Sequence, residues 1–389
     1  MKKGKKITLT LIGITVLIFF GAIQSPLIRE WIISAISQFF SEPPTEINET
    51  IPYQPEENTT QEKLKIISEE EKEIEITELF PKPKEPNVIA IDNPKFVPVE
   101  EADSWMQPYD RVIYLIYNGV EKAYPLKILN WHHIVNDYAG SKPIVITYSP
   151  LSGSSVAFLR IVNDKVVSFD VSDYLWRSSL LMKDRSGNSS LWSQIFGEAI
   201  TGNYTGYKLE RIQCYTATWE CWKEYYPESQ VLSIDTGYNF SYDTNPYEEY
   251  QSNDYVDYGV TFNDTRLHPK TIVYSVNING KQKAYPLETI KDMKAINDIV
   301  NDVPILVVWD YVMDTAKIFE RKTGNVTLTF GYGKGRLIDN NGYLWDFNGE
   351  GISDEVFGEK LKPVPFMEIF WFAQLAFYPE TELYSPQTP

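Results

Sequence analysis

The chain has 389 residues, 43% of them hydrophobic and 14% aromatic, enough apolar material for a sizeable core or two. A net charge of −17 and an isoelectric point near 4.8 exclude a nucleic-acid partner, because phosphate binding needs a basic surface. Two cysteines, Cys214 and Cys221, exclude a disulfide-dense scaffold and a four-thiolate zinc site.

The first predicted element is a membrane segment, residues 1–40. Lys2, Lys3, Lys5 and Lys6 precede Ile7–Ile23, a charge-free apolar run of about 17 residues. The basic flank stays in the cytoplasm and the rest is exported, which predicts a single-pass cell-membrane anchor with an extracytoplasmic carboxy-terminal domain. A cleaved signal peptide is the alternative, although Ala22–Ser25 is only a weak cleavage sequence. Pro26–Phe40 reads as an interfacial helix or as a continuation of the anchor after a proline kink. The membrane is therefore one predicted partner. Asn48, Asn58, Asn188, Asn203, Asn239, Asn263 and Asn325 begin Asn-x-Ser/Thr sequons, glycosylation candidates in an exported chain.

Ser41–Pro86 is rich in Glu and Pro and predicts an extended, negatively charged stalk. The globular part begins near Asn87 with a lead-in whose helix starts around Val99.

From Val112 a pattern appears that is used twice. Val112–Arg160 matches Val273–Arg321, 161 positions later, without a gap. Asn118/Asn279, Gly119/Gly280, Asn136/Asn297, Asp137/Asp298, Pro143/Pro304 and Arg160/Arg321 agree, and Lys122–Leu126 equals Lys283–Leu287 throughout. Ile212–Ser229 likewise matches Val364–Thr381, and Leu191-Trp192 matches Leu344-Trp345. The sequence predicts an α+β fold, mostly antiparallel β, made of two tandem homologous units with a pseudo-two-fold relation, each with short helices. Unit one spans 87–234, a connecting loop 235–270, and unit two 271–384.

Within unit one, Val112–Tyr117 alternates as a strand, Asn118-Gly119 predicts a type I′ hairpin, and Glu121–Leu126 returns. Lys127–Asn136 fits a short helix. Pro143–Tyr148 reads as a buried strand, Ser149–Ser155 as a turn-rich loop and Val156–Val162 as a strand. Asn163-Asp164 turns into Val166–Val171, Leu180–Lys183 is a further strand, and Trp192–Gly206 reads as a loop. Thr216–Tyr226 predicts a helix with Thr216 or Thr218 as N-cap, stopped by Pro227. Asp235–His268 predicts a long ordered loop.

The chemistry-bearing residues special to unit one are few. His132 and His133 have Met293 and Lys294 as counterparts. Adjacent helical histidines diverge by about 100°, so both do not bind one metal, and a single His serves as ligand, proton carrier or hydrogen-bonded core residue. Ser149 and Ser152 bring two hydroxyls to the end of a buried strand, with His132 as the local base for a nucleophile. Arg177 and Asp184 offer charge to a pocket or make a surface ion pair. The tryptophans could stack on sugars, but those matched between units, Trp192/Trp345 and Trp219/Trp371, are better explained as core. Cys214 and Cys221 permit a disulfide if Cys214 precedes the helix, and not within one straight helix. There is no phosphate loop, dinucleotide fingerprint or CxxC, so neither a cofactor nor a metal is expected.

IDNPKFVPVEEADSW, KAYPLKILNWHHIVND, TYSPLSGSSVAF, SLLMKDRSGNSSLWSQIFGEAITG and HPKTIVYSV occur in order over Ile91–Tyr384. In these motifs the chain resembles the family called domain of unknown function 3179. The resemblance implies an exported or membrane-anchored protein with no established activity. It also implies Cys-Pro-Leu-Cys-Gly where this chain has Ser149–Gly153, and Asn-Ser-Asn/Asp where it has Arg177–Ser179. A cysteine pair there would suit a metal or thiol site with His132 as partner, whereas serine is a poor ligand for soft metals. The expected function is thus a non-catalytic ligand-binding or surface protein with a degenerate site and an unknown small ligand or surface partner. A hydrolase or transferase using Ser149 or Ser152 with His132, and a structural cell-surface component, are the alternatives.

Overall fold

A computed structural model describes residues 79–82, 88–256, 258–333 and 335–386. The predicted anchor and nearly all of the predicted stalk lie outside these residues. Among them, no helix is long and apolar enough to cross a membrane.

The lead-in comprises β1 (Leu79–Pro81), β2 (Ile91–Asp92), β3 (Phe96–Pro98) and α1 (Val99–Ala102). β4 (Arg111–Tyr117) and β5 (Val120–Pro125) form the predicted hairpin, with Asn118 at φ 53° and Gly119 at φ 72°. Those two left-handed positions are what a type I′ turn demands, and Asn-Gly supplies them at low cost. α2 (Leu126–His132) follows, then the antiparallel set β6 (Ile134–Ala139), β7 (Lys142–Ser149) and β8 (Ser154–Leu159). β9 (Ile161–Val162) and β10 (Lys165–Val166) flank the Asn163-Asp164 turn. β11 (Phe169–Trp176), β12 (Ser179–Asp184), β13 (Leu191–Ser193) and β14 (Glu198–Thr201) make a meander. β15 (Arg211–Ile212), β16 (Tyr215–Thr218), α3 (Trp219–Tyr225) and β17 (Gln230–Leu232) end this first array, and α4 (Glu248–Ser252) lies in the connecting segment.

A second array follows in much the same order. It contains β18 (Ile272–Ile278), β19 (Lys281–Pro286), α5 (Leu287–Met293), β20 (Ala295–Val300), β21 (Val303–Asp310) and β22 (Thr315–Glu320). β23 (Lys322–Thr323), β24 (Val326–Thr327), β25 (Phe330–Gly333), β26 (Arg336–Asp339), β27 (Leu344–Trp345) and β28 (Lys362–Pro363) come next. β29 (Phe366–Phe370), α6 (Trp371–Phe377) and β30 (Glu382–Leu383) close it. The fold is mostly β, in antiparallel sheets, with six short helices among the described residues. The parallel pairs are β2 with β6, β5 with β17, and β19 with β30.

Three expectations need correction. The helix predicted over Lys127–Asn136 stops at His132, because His133 turns the chain at φ 58° and the β-branched Ile134 and Val135 continue as buried β6. Of the two N-caps predicted for the helix over Thr216–Tyr226, Thr218 is the one found: the helix starts at Trp219, since Tyr215–Thr218 pairs as a strand with β4. The predicted loop Trp192–Gly206 contains β13 and β14.

The residues that the arrays share are structural. Lys122 Nζ and Tyr124 Oη both donate to Asp137 Oδ2 at 2.8 Å, and Lys283 and Tyr285 do the same to Asp298 Oδ2 at 2.8 Å. The Asn136 amide brackets Phe169, accepting from its N–H and donating to its C=O, each at 2.9 Å. Asn297 brackets Phe330 at 2.8 and 2.7 Å. Buried polar groups are expensive unless answered in this way. Trp192, Trp219, Trp345 and Trp371 are fully buried, as core residues should be. Each removes about 200 Å² from water, a gross gain on the order of 5 kcal/mol.

One apolar cluster crosses from the first array (Ile134, Trp192) to the second (Met367, Phe377). The Phe370 N–H donates to Ser152 O at 2.9 Å, and its ring stands 2.7 Å from where a Cβ on Gly153 would be. Only glycine fits there, at φ +61°.

Candidate functional site

The Ser149–Gly153 turn sits between β7 and β8, where Ser149 pairs in register with Ser154. Ser149 and Ser152 are buried, as the continuous apolar run of β7 requires. Ser149 Oγ accepts from the Leu180 N–H at 3.3 Å. Ser152 Oγ lies 2.8 Å from Ser154 Oγ and 3.2 Å from Ser179 Oγ. Ser154 donates to Gln194 Oε1 at 2.9 Å, and Gln194 Nε2 donates to Thr147 Oγ1 and Ser154 O, both at 3.2 Å. Thr147 in turn donates to Val156 O at 2.7 Å. The result is a buried chain of hydroxyls and one amide, closed on itself, with no carboxylate or imidazole in it.

His132 is fully buried. Its Nδ1 lies 2.6 Å from Ile89 O, so Nδ1 carries the proton and Nε2 accepts from Tyr242 Oη at 2.7 Å. Tyr242 Oη is then free to accept from Thr236 Oγ1 at 2.6 Å. Tyr238 and Phe240 add ring contacts with the imidazole. Burial pushes the His132 pKa down to about 4, against the opposing pull of the Ile89 carbonyl. His133 is buried with Nε2 3.0 Å from Tyr247 Oη, and burial, with the charges of Lys82 and His132, lowers its pKa to about 3. Both ring nitrogens of His132 are engaged away from the serines, so it is not the base that a nucleophilic Ser149 or Ser152 would need.

Arg177 caps the end of α6, Nη1 donating to Ala376 O at 2.8 Å, and lies over the Trp176 ring. It shares a turn with Ser178, both at positive φ (50° and 61°) without a glycine between them. Ser178 Oγ is buried and meets no hydrogen-bond partner among the described residues. Asp184, also buried, holds the loop after β12: it accepts from the Ser186 N–H and hydroxyl, the Ser190 N–H at 2.7 Å and Trp192 Nε1 at 2.9 Å. Burial alone would raise its pKa, but these donors hold it below the usual carboxylate range. Asp339 does the same in the second array, accepting from the Asn341 and Tyr343 N–H groups and from Trp345 Nε1 at 3.1 Å. Asp184 is therefore a loop organiser and is not brought to the serines by any hydrogen bond.

Both cysteines are free thiols, so the disulfide expectation is corrected. β16 lies between Cys214 and α3, so Cys214 does not directly precede the helix that carries Cys221. Burial pushes the Cys214 thiol up to about 11. Among the described residues no cluster of His, Cys, Asp or Glu is arranged to hold a metal. Of the sequons, Asn188, Asn203, Asn239, Asn263 and Asn325 are exposed, and Asn48 and Asn58 lie outside the described residues.

The connecting segment is the part of this region that the sequence leaves without a role. Besides Tyr242 and Tyr247, it brings Tyr250 Oη to Leu151 O at 3.1 Å and Gln251 Nε2 to Pro150 O at 3.3 Å, covering the serine turn. Phe240 stacks on Trp131. The alternation Tyr238, Phe240, Tyr242 was a signal for a half-covered extended piece. Gln194, Thr147 and Ser179 carried no signal.

No curated protein and no solved structure matches the chain. The family model described as "Protein of unknown function (DUF3179)" matches residues 87–381, from the lead-in through α6, which includes every residue of the buried hydroxyl chain and both capped histidines. The chain belongs to that family.

Proposed function

We propose that this protein is a non-catalytic binding or surface domain, exported and tethered to the cell membrane by residues 1–40 and held off it by the acidic stalk 41–86. One observation carries the non-catalytic reading: both ring nitrogens of His132 and the hydroxyls of Ser149 and Ser152 are committed to internal hydrogen bonds. An activated nucleophile needs a base within hydrogen-bond reach, and a metal site needs convergent ligands. The charge-free run after four lysines supports the tether.

In this reading, units 87–234 and 271–384 are related by a local two-fold axis, with 235–270 serving as the cover of the first unit. Matching bonds support the relation. Trp219 Nε1 donates to Asp103 and Trp371 Nε1 to Asp264, at 2.7 and 3.1 Å. Trp219 N–H reaches Asp110 O, and Trp371 N–H reaches Thr271 O, at 2.7 and 2.9 Å.

A fluorophosphonate probe tests the chemistry on the purified full-length protein. No covalent label on Ser149 or Ser152 is the expected result, together with zinc titration giving no stoichiometric binding. Labelling of either serine that His132→Ala abolishes would overturn the reading in favour of a hydrolase or transferase.

A further inference from the structure

The two arrays differ at several sheet edges, and one of these is the edge beside β6 and β20. In the first, β2 covers β6, running parallel with Ile91 opposite Val135 and Asp92 opposite Asn136. Asn136 uses both amide hydrogens, Nδ2 donating to Asp92 Oδ1 and to Phe169 O, each at 2.9 Å. In the second array β20 ends its sheet, with β21 on one side and no strand on the other among the described residues. Val300 faces Val303 across the two-residue turn Asn301-Asp302, which makes that pair hydrogen-bonded. Alternation then makes Asp298 and Ile296 bonded to β21, while Ala295 and Asn297 turn their N–H and C=O groups outward. No group among the described residues answers them.

The receiving side chain is also in place. Asn297 Nδ2 donates to Phe330 O at 2.7 Å, leaving its second hydrogen where Asn136 holds Asp92. Exposure follows the missing strand. His132, Ile134, Asn136 and Asp137 are buried, whereas the matching Met293, Ala295, Asn297 and Asp298 are half-buried or exposed.

We propose that the β20 edge docks an extended peptide of a partner protein, added parallel to β20. The peptide carries a β-branched apolar residue opposite Ile296 and Asp or Asn opposite Asn297. The occupant's chemistry comes from Ile91-Asp92, which the same edge of the first array accepts within the chain. Strand addition of this kind takes affinity from main-chain bonds and selectivity from alternate side chains. So short a contact gives reversible binding, with a Kd on the order of 100 μM.

The probe is the chain's own covering strand as a free peptide, Asn-Val-Ile-Ala-Ile-Asp-Asn-Pro, with a fluorophore and a photo-crosslinking group. The full-length protein is held in detergent; among the described residues the β6 edge is filled and the β20 edge is not, and the crosslinks report which edge takes the peptide. Saturating anisotropy and crosslinks within Ala295–Val300 are expected. Asn297→Ala should weaken binding at least about fivefold, as should the same peptide with its Asp replaced by Lys, an arm that leaves the protein unaltered. The proposal is overturned by absence of saturation at about twentyfold the expected Kd, by crosslinks elsewhere, or by indifference to the Asp-to-Lys change. A concentration-dependent dimer that blocks the peptide would also overturn it, because the occupant would then be a second copy.

Discussion

Thr216 Oγ1 donates to Glu368 Oε2 at 2.7 Å, and the two residues hold the same place in the matched stretches Ile212–Ser229 and Val364–Thr381. In the two-fold relation proposed above, matching residues would meet each other at the axis, as in isologous interfaces. Arg111 Nη2 donates to the same threonine at 2.6 Å while Nη1 reaches Asp314 Oδ2, and Tyr274 Oη donates to Glu368 at 2.9 Å. A double-mutant cycle with Thr216→Val and Glu368→Gln should give a coupling of about 1 kcal/mol in urea unfolding. Additive effects would place the two residues in separate networks.

Tyr242→Phe removes the donor to His132 Nε2 and leaves a buried nitrogen unanswered. The expected loss is about 1–2 kcal/mol, read from the urea midpoint at constant slope. A change below a few tenths of that would mean that water replaces the hydroxyl.

Stability should fall with acid below pH 6.5. His132 and His133 are held neutral in the folded protein, with pKa values about 4 and about 3 against an ordinary value of 6.5. The unfolded chain therefore binds protons first as pH falls. The stability that is complete above 6.5 is lost progressively down to the folded values, roughly 3 kcal/mol for His132 and roughly 5 kcal/mol for His133. His133→Asn keeps a side chain that tolerates φ 58° and should flatten the dependence measured between pH 7 and pH 5. An unchanged slope in that variant would assign the acid sensitivity to other groups.

Asp184→Asn and Asp339→Asn should cost similar amounts, about 2 kcal/mol each, because each carboxylate collects main-chain donors and an indole N–H. A loss confined to Asp184, or an altered ligand interaction without a stability change, would restore it as a site residue.

Ser178→Gly should stabilise the protein by about 1 kcal/mol. It relieves a left-handed non-glycine and removes a buried hydroxyl without a partner, at some cost in unfolded-chain entropy. A destabilised variant would show that the hydroxyl is answered in solution.

What was legible in the sequence was local or repeated. Asn118-Gly119 and Asn163-Asp164 name their turns, and the recurrence of Lys122–Leu126 with Asn136-Asp137 marked the scaffold. Helix ends were not legible: His133 closes α2 in a conformation that glycine usually signals. The short β13 and β14 hid in a stretch without alternation. The site was half legible. His132, His133 and the serines stood out as unique to one unit, but the groups that hold the two histidines, Tyr242 and Tyr247, lie 110 and 114 residues away from them. Nothing local relates them.

The Arg177 bond to Ala376 O spans 199 residues, and the Arg111 bond to Asp314 spans 203. Closing a loop of that length costs roughly 5 kcal/mol in chain entropy. A polypeptide is made from its amino terminus, so the first array waits for the last helix before its core can close. Until β29 has been synthesised, Gly153 lacks the Phe370 ring that covers it, and the nascent chain carries an open apolar seam that must be kept from other chains.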